Sequence, residues 1–199
     1  MIEILDVYTK DGRKVGEMSK KAYYNGTIKD VPWIKCCTCF VIDSKTGKIL
    51  FEKRGNVELD SGKLDLCSGH VRSRELPFQA MIRELGEELN LPENVASNIK
   101  HLSDVHIDYT GLSDEDNRKR LKAIVSIYAL KVQDINQIKK DSIEVVRTGW
   151  LSYEDSVNFI RNGMTRIPYE EPVSKQIEDV FSKLKDYISS KRKDSDKIY

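Results

Sequence analysis

The chain has 199 residues, and its 33 basic and 32 acidic side chains leave a formal net charge of +1. This length suits one domain with a short appended segment. A dedicated nucleic-acid binder usually carries a clear excess of positive charge, so we expect no nucleic-acid partner. No apolar run reaches the ~20 residues of a membrane helix, and the first residues have no signal-peptide pattern. We therefore expect no membrane association and a cytoplasmic location.

The secondary structure is predicted from the hydrophobic pattern, taken in chain order. Strands are predicted at 2–8, 14–17, 33–42, 48–53, 99–109, 121–132 and 143–151. A glycine-punctuated loop is expected at 55–69, and helices at 77–88, between Ser152 and Gly163, and from Pro172 through Ile188. This mixture of strands and helices predicts an α+β fold, an α/β/α sandwich around a mixed β-sheet.

Three segments are expected along the chain. Residues 1–31 form an N-terminal hairpin or arm, because Asp11-Gly12 supplies a turn between the first two strands. Residues 32–190 form the main domain and include the C-terminal helix. Residues 191–199 are strongly polar and are expected to be a disordered tail.

The four cysteines do not have the spacing of a disulfide framework or of a structural zinc site. Cys36, Cys37 and Cys39 crowd into one predicted strand, and Cys67 stands alone. Neighbours in a strand point to opposite faces and rarely pair. We expect reduced, half-buried thiols.

One helix carries three carboxylates on a single face. Glu84, Glu87 and Glu88 are spaced i, i+3 and i+4, so they repel one another unless a cation compensates. Arg83 is one candidate, since it lies one turn before Glu87, and a divalent metal is the other. Carboxylates are hard ligands that favour Mg²⁺ or Mn²⁺, and bound magnesium is often completed by substrate phosphates. The alternative is a solvated acidic helix face without any ligand.

The spacing of fixed residues around this helix resembles the Nudix box. The pattern is a glycine, a glutamate, an arginine-glutamate pair, a glutamate pair and an apolar residue, found here as Gly69, Glu75, Arg83-Glu84, Glu87-Glu88 and Leu91. Asn90 stands where the family has a last glycine, and asparagine is the next-best residue for a left-handed helix end. The resemblance covers residues 33–161.

The resemblance implies a Nudix fold and the hydrolysis of a diphosphate linkage, in a nucleoside diphosphate derivative or a similar small molecule. It implies that Glu84, Glu87 and Glu88 hold Mg²⁺ or Mn²⁺ together with the backbone carbonyl of Gly69. Arg83 would pair with a box carboxylate rather than bind the metal. We expect this small-molecule diphosphate as the partner, and we allow for a homodimer.

Other contributors to the reaction lie outside the box. Glu144, with Asp141 nearby, precedes a strand where the family often places a general base, although ordinary surface charge is an alternative. Lys53 and Arg54 end the strand before the box and could contact a phosphate, or could simply be solvated. The loops at 113–120 and 163–171 are expected to select the group attached to the diphosphate.

Two other functions are weighed against hydrolysis. The chain also resembles the Nudix branch that contains type I isopentenyl-diphosphate isomerase, and His70 matches one of its metal-binding histidines. The isomerase's catalytic cysteine corresponds to Ser68, whereas Cys67 is one step off and in a strand would face the opposite side. The remaining histidines, His101 and His106, lie after the box. A Nudix domain that only binds a ligand usually lacks box glutamates, and none is lost here, so a metal-dependent diphosphatase is the expected function.

Overall fold

A computed structural model describes residues 2–25, 28–54, 63–108, 121–139 and 145–190. Within them the strands are β1 Ile4–Tyr8, β2 Lys14–Ser19, β3 Ile34–Asp43, β4 Ile49–Arg54, β5 Leu64–Asp65, β6 Cys67–His70, β7 Ile99–Asp108, β8 Lys122–Val132 and β9 Val145–Leu151. The helices are α1 Lys20–Tyr24, α2 Pro77–Leu89, α3 Tyr153–Arg161 and α4 Val173–Ser189. No described helix has the length and apolar character required to span a membrane.

The main sheet has seven strands, and its central path runs β5-β4-β3-β8-β7. Strand β6 pairs with β3, and β9 pairs with β4. The β3–β8 pair is parallel and the other pairs are antiparallel, so the sheet is mixed, as predicted. Seven consecutive residues at the end of β3 are buried, which accounts for the continuous apolar run in that part of the sequence.

Helices cover both faces of the sheet. On one face, α2 buries Met81, Leu85 and Leu89 against strand residues that include Cys39 and Leu50. On the other face, the apolar stripe of α4 packs with α3 against the alternate strand residues, and its buried members are Val173, Ile177, Val180, Phe181 and Leu184. The predicted α/β/α sandwich is therefore confirmed.

Both ends of α2 are built as the sequence indicates. Pro77 occupies the first turn, and the side chain of Gln79 accepts a hydrogen bond from the backbone N–H of Leu76 at 2.9 Å. Asn90 ends the helix in the left-handed conformation at φ 54°, which explains why asparagine can replace the glycine of the box. Asn90 thus departs from the family's last glycine without changing the backbone conformation.

The N-terminal residues form a hairpin that is joined to the main domain. Strands β1 and β2 pair antiparallel, and Tyr8 and Trp33 exchange two backbone hydrogen bonds of 2.7 and 3.0 Å. Helix α1 follows β2 directly, capped by the hydroxyl of Ser19, and the sequence prediction missed it inside a polar stretch. Leu5 and Tyr23 are fully buried. The boundary at residue 31 stays a prediction.

The predicted loop at 55–69 is wrong in its second half, where β5 and β6 form. These strands have two and four residues, too few to show an alternating pattern. The tail at 191–199, the predicted loop at 113–120, and the candidate bases Glu144 and Asp141 lie outside the described residues.

Candidate active site

The box glycine and the first box glutamate of α2 are in direct proximity. Gly69 lies in β6 and Glu84 lies in α2, and a Cβ atom built at position 69 would lie 1.8 Å from Glu84 Oε1. The backbone of β6 is thus open to a carboxylate only because residue 69 has no side chain. Burial raises the pKa of Glu84, and the hydrogen bond from Arg83 acts in the opposite direction.

Arg83 is the centre of the hydrogen-bond network in the box. Its Nε and Nη2 donate to the two carboxylate oxygens of Glu75 at 2.9 and 3.0 Å. Its Nη1 donates to Glu84 at 2.6 Å and to Glu87 at 3.1 Å, and Nη2 also donates to the carbonyl of His70 at 3.0 Å. The pairing with Glu87 is the one that the i, i+4 spacing indicates. Arg83 therefore links three carboxylates of the box to the end of β6.

The three glutamates of the predicted metal face point in different directions. Glu84 lies over Gly69, whereas Glu87 is exposed and pairs with Arg72 and Arg83. Glu88 turns inward, where its carboxylate accepts a hydrogen bond from the backbone N–H of Ser68 at 3.1 Å and lies within 4.8 Å of the thiol of Cys67. Their joint role as metal ligands stays a prediction.

The structure places an unpredicted carboxylate, Glu52, beside Glu88. One donor atom from each of Glu52, Cys67 and Glu88 lies within 4.8 Å of the other two, and this is the only such group of three among the described residues. Glu52 lies in β4 on the same face as buried Leu50. The alternation of the strand could have placed Glu52 inside, but a glutamate at the end of an apolar strand gave no reason to expect a buried charge.

Burial dominates the protonation of this group. Burial raises the pKa of Glu52, and the nearby Glu88 carboxylate raises it further. Burial also raises the pKa of Glu88, against the hydrogen bond from the backbone N–H of Ser68. The Cys67 thiol has a pKa well above its usual value because it is buried and faces the two carboxylates. These shifts mean that two carboxylates held this close resist ionising together unless a cation joins them.

Two arginines lie at the end of the sheet next to this group. Arg54 and Arg166 both pair with Asp65 Oδ2, at 3.5 and 3.1 Å. Arg54 is one of the predicted phosphate contacts, whereas Lys53, the other one, is exposed. Arg166 lies in the predicted 163–171 loop and was not singled out from sequence. It comes close because Thr165 forms a bridge with Leu64 of β5.

The histidines do not form a common site. His70 is linked to the hydroxyl of Tyr24 at 2.8 Å, and burial lowers the pKa of its ring to about 3, so it is neutral and can accept this hydrogen bond. His101 pairs with Asp104 on β7, and the ring of His106 packs against Trp33. The histidine metal site of an isomerase is therefore not assembled from these residues.

Comparison with known proteins agrees with this architecture. Residues 35–168 match the family model of the NUDIX domain. No curated protein matches the chain significantly in sequence. The structure of the protein DR0079 from Deinococcus radiodurans is similar with a TM-score of 0.59 and 20% identity, over 81% of this chain and 90% of that one.

Two further solved structures share the fold. The NUDIX domain of Shewanella oneidensis NrtR complexed with ADP ribose gives a TM-score of 0.53 and 16% identity, over 84% of this chain and 99% of that one. The dihydroneopterin triphosphate pyrophosphohydrolase of E. coli gives a TM-score of 0.52 and 19% identity, over 71% of this chain and 95% of that one. The family model covers well over half of the chain, and every box carboxylate is present. The chain therefore belongs to the Nudix family and is an enzyme of that family.

Proposed function

We propose that the protein hydrolyses a diphosphate linkage in a nucleoside diphosphate derivative or a similar small molecule, using Mg²⁺ or Mn²⁺. The observation that carries this proposal is the network in which Arg83 holds Glu75, Glu84 and Glu87 beside Gly69. A structural helix has no need to gather so many carboxylates at an open backbone segment.

The donors in this region fit a hard divalent cation. Glu84, Glu87, Glu88 and the carbonyl of Gly69 are all oxygen donors, the class that Mg²⁺ and Mn²⁺ prefer. When bound, the metal would neutralise the diphosphate and lower the pKa of a water molecule that attacks phosphorus. Arg83 would keep the carboxylates in position, and its own network leaves it no role in contacting the reacting phosphorus.

The rest of the reaction is assigned to groups outside the box. Arg54 and Arg166 would provide positive charge for the substrate phosphates, with Lys53 as a more peripheral contact. The general base would be Glu144, which takes the proton of the attacking water as the bond between phosphorus and the bridging oxygen breaks. The leaving group is itself a phosphate.

The substrate class is supported by the ligands of proteins with this fold. The Shewanella domain binds ADP ribose, and the E. coli enzyme is a pyrophosphohydrolase of a pterin triphosphate. Both ligands contain a diphosphate linkage. An isomerase would need its acid open to the alkene, but Cys67 is only 2% exposed. A ligand-binding domain without catalysis would not need the intact set of box glutamates.

The test is a hydrolysis screen with Mg²⁺ or Mn²⁺ over nucleotide sugars, ADP-ribose, NADH, coenzyme A, dinucleoside polyphosphates and nucleoside triphosphates. We expect metal-dependent release of phosphate-containing products from at least one class. Glu88→Gln should abolish this activity, whereas Glu154→Gln, on the exposed side of α3, should keep it. Turnover by Glu88→Gln in the presence of EDTA, or dimethylallyl diphosphate formed from isopentenyl diphosphate, would contradict the proposal.

A further inference from the structure

Glu52, Cys67 and Glu88 form a compact donor group at the junction of three elements. Glu52 comes from β4, Cys67 from β6 and Glu88 from α2. Their donor atoms lie within 4.8 Å of one another. Ligands of one bound zinc ion each sit ~2.0–2.3 Å from the metal, so donors this close together can reach a common ion with small side-chain movements.

Glu52 is a buried carboxylate with an unsatisfied oxygen, as expected of a ligand in a metal site from which the ion is absent. The residue is 3% exposed, and its Oε1 makes no hydrogen bond within the described part of the chain. A buried carboxylate oxygen without a partner is costly, and native proteins normally satisfy such atoms with a donor or a cation. The Glu52 carboxylate lies in the same group as the Cys67 thiol and the Glu88 carboxylate.

This donor group includes a sulfur atom, whereas the donors assigned to Mg²⁺ or Mn²⁺ are all oxygen atoms. Sulfur is a soft ligand that favours zinc-class ions over magnesium, and two carboxylates supply the remaining charge. Cys39 provides a useful contrast, because it is fully buried and lies opposite Cys67 in the β3–β6 pairing. Burial alone raises the pKa of the Cys39 thiol. Cys39 does not belong to the donor group found among the described residues.

We propose that Glu52, Cys67 and Glu88 bind one divalent cation of the zinc class. The site goes beyond the hydrolysis proposed above, and it shares only Glu88 with the oxygen donors assigned to Mg²⁺ or Mn²⁺. An ion here would fix Glu88 and couple β4 to α2.

The test uses Co²⁺ as a spectroscopic substitute for Zn²⁺, with the full chain stripped of metal by a chelator. Co²⁺ bound to a thiolate gives a charge-transfer band in the near ultraviolet, which oxygen-only sites lack. We expect the intensity of this band to saturate after one Co²⁺ ion per chain, whatever Co²⁺ binds to the oxygen donors of the box. Stoichiometric Zn²⁺ should remove the band, whereas excess Mg²⁺ should leave it.

Three variants assign the ligands. Cys67→Ser should lose the band, and Glu52→Gln, which keeps the shape of the side chain, should weaken Co²⁺ binding by about tenfold or more. Cys39→Ser, which removes an equally buried thiol, should behave as the wild type. Circular dichroism of each variant before titration establishes that the fold is kept, and Glu52→Gln tests the site even if Cys67→Ser is unfolded.

The outcomes are separable from those of the hydrolysis experiment. A wild type without the band, a band that survives in folded Cys67→Ser, or cobalt displaced equally well by Mg²⁺ and Zn²⁺ would overturn the proposed site. Absence of hydrolysis in the substrate screen would not change the cobalt spectrum, and absence of the band would not change the substrate screen.

Discussion

Glu84 Oε1 occupies the space that a side chain at position 69 would need, 1.8 Å from the Cβ of a residue other than glycine. Gly69 is not among the glycines with positive φ. The glycine of the box is therefore required by close approach of a carboxylate rather than by backbone conformation. This relationship couples β6 to α2 at the point where we propose that a metal binds.

Gly69→Ala is expected to displace the Glu84 carboxylate from the backbone of β6. Because misplacement of a catalytic group by ~1 Å can cost 10²-fold in rate, we expect hydrolysis to fall on the order of 100-fold and the Mg²⁺ concentration for half-maximal activity to rise. Steady-state kinetics over a metal titration would measure both. Gly149→Ala is the matched control, since no atom lies within 4 Å of its added Cβ. Equal effects of the two substitutions would contradict the close-approach explanation.

Arg83→Ala should destabilise the folded protein and also slow hydrolysis of the diphosphate. The substitution leaves partly buried Glu75 and Glu84 without their cation, and breaking such a pair costs about 3 kcal/mol of unfolding free energy. Saturating Mg²⁺ should restore part of the activity, because the metal replaces some of the lost charge. Urea unfolding and a metal titration are the measurements.

Arg161→Ala is the control for Arg83→Ala. Arg161 makes two hydrogen bonds to Glu178, but both side chains are exposed, so its loss should cost less than about 1 kcal/mol. If Arg83→Ala were as stable as Arg161→Ala and its metal requirement were unchanged, the Arg83 network would not organise the box.

The long elements could be predicted because each carries a sustained pattern, a continuous apolar run in β3 and a helical period in α2. Strand β3 and helix α2 have ten and thirteen residues, and their burial follows the pattern in the sequence. The segments that were missed are short: α1 has five residues and β5 has two. Their conformation depends on pairing with distant residues, which local periodicity does not report.

The candidate site was predictable only where spacing along one helix determines geometry. The Arg83–Glu87 pair follows from the rise of a helix, and it is present. The ion pair between Arg166 and Asp65 depends on how two distant segments pack. The burial of Glu52 beside Glu88 likewise depends on tertiary contacts. The sequence indicated that an offset of one residue turns Cys67 to the face opposite that of Ser68, but it did not indicate that this face lies against Glu88 of α2.

The acid dependence of stability can be tested at Asp43, which is remote from the site. The hydrogen bond from Thr46 lowers the pKa of Asp43, and the carboxylate also accepts from the backbone N–H of Lys45 at 3.0 Å. A lowered pKa stabilises the folded protein above the unfolded value of 3.8, and this stabilisation is lost as pH falls through the folded pKa. We expect Asp43→Asn to cost about 1 kcal/mol at pH 7.

The difference in unfolding free energy between the wild type and Asp43→Asn should disappear on acidification, because asparagine resembles the protonated acid. Denaturant unfolding at neutral pH and at a pH below the lowered pKa of folded Asp43 would measure this difference. Asp30→Asn, at an exposed position, should show no gap at either pH. A gap for Asp43→Asn that stayed constant with pH would show that packing rather than charge is responsible.

Tyr23 provides the test of how the N-terminal hairpin is attached to the main domain. Its fully buried hydroxyl accepts from the backbone N–H of Lys122 at 3.0 Å and donates to the carbonyl of Pro32 or Lys122, at 3.1 and 3.2 Å. Tyr23→Phe leaves these backbone groups unsatisfied in the interior, so the unfolding free energy should fall by about 1–3 kcal/mol. Hydrogen exchange of the Lys122 amide should also accelerate.

Tyr153→Phe is the control for Tyr23→Phe. The hydroxyl of Tyr153 makes one hydrogen bond, to the carbonyl of Phe181, at a partly exposed position, so its removal should lower the unfolding free energy less. Equal losses for the two variants, with unchanged exchange at Lys122, would mean that the hydroxyl of Tyr23 does not hold the hairpin in place.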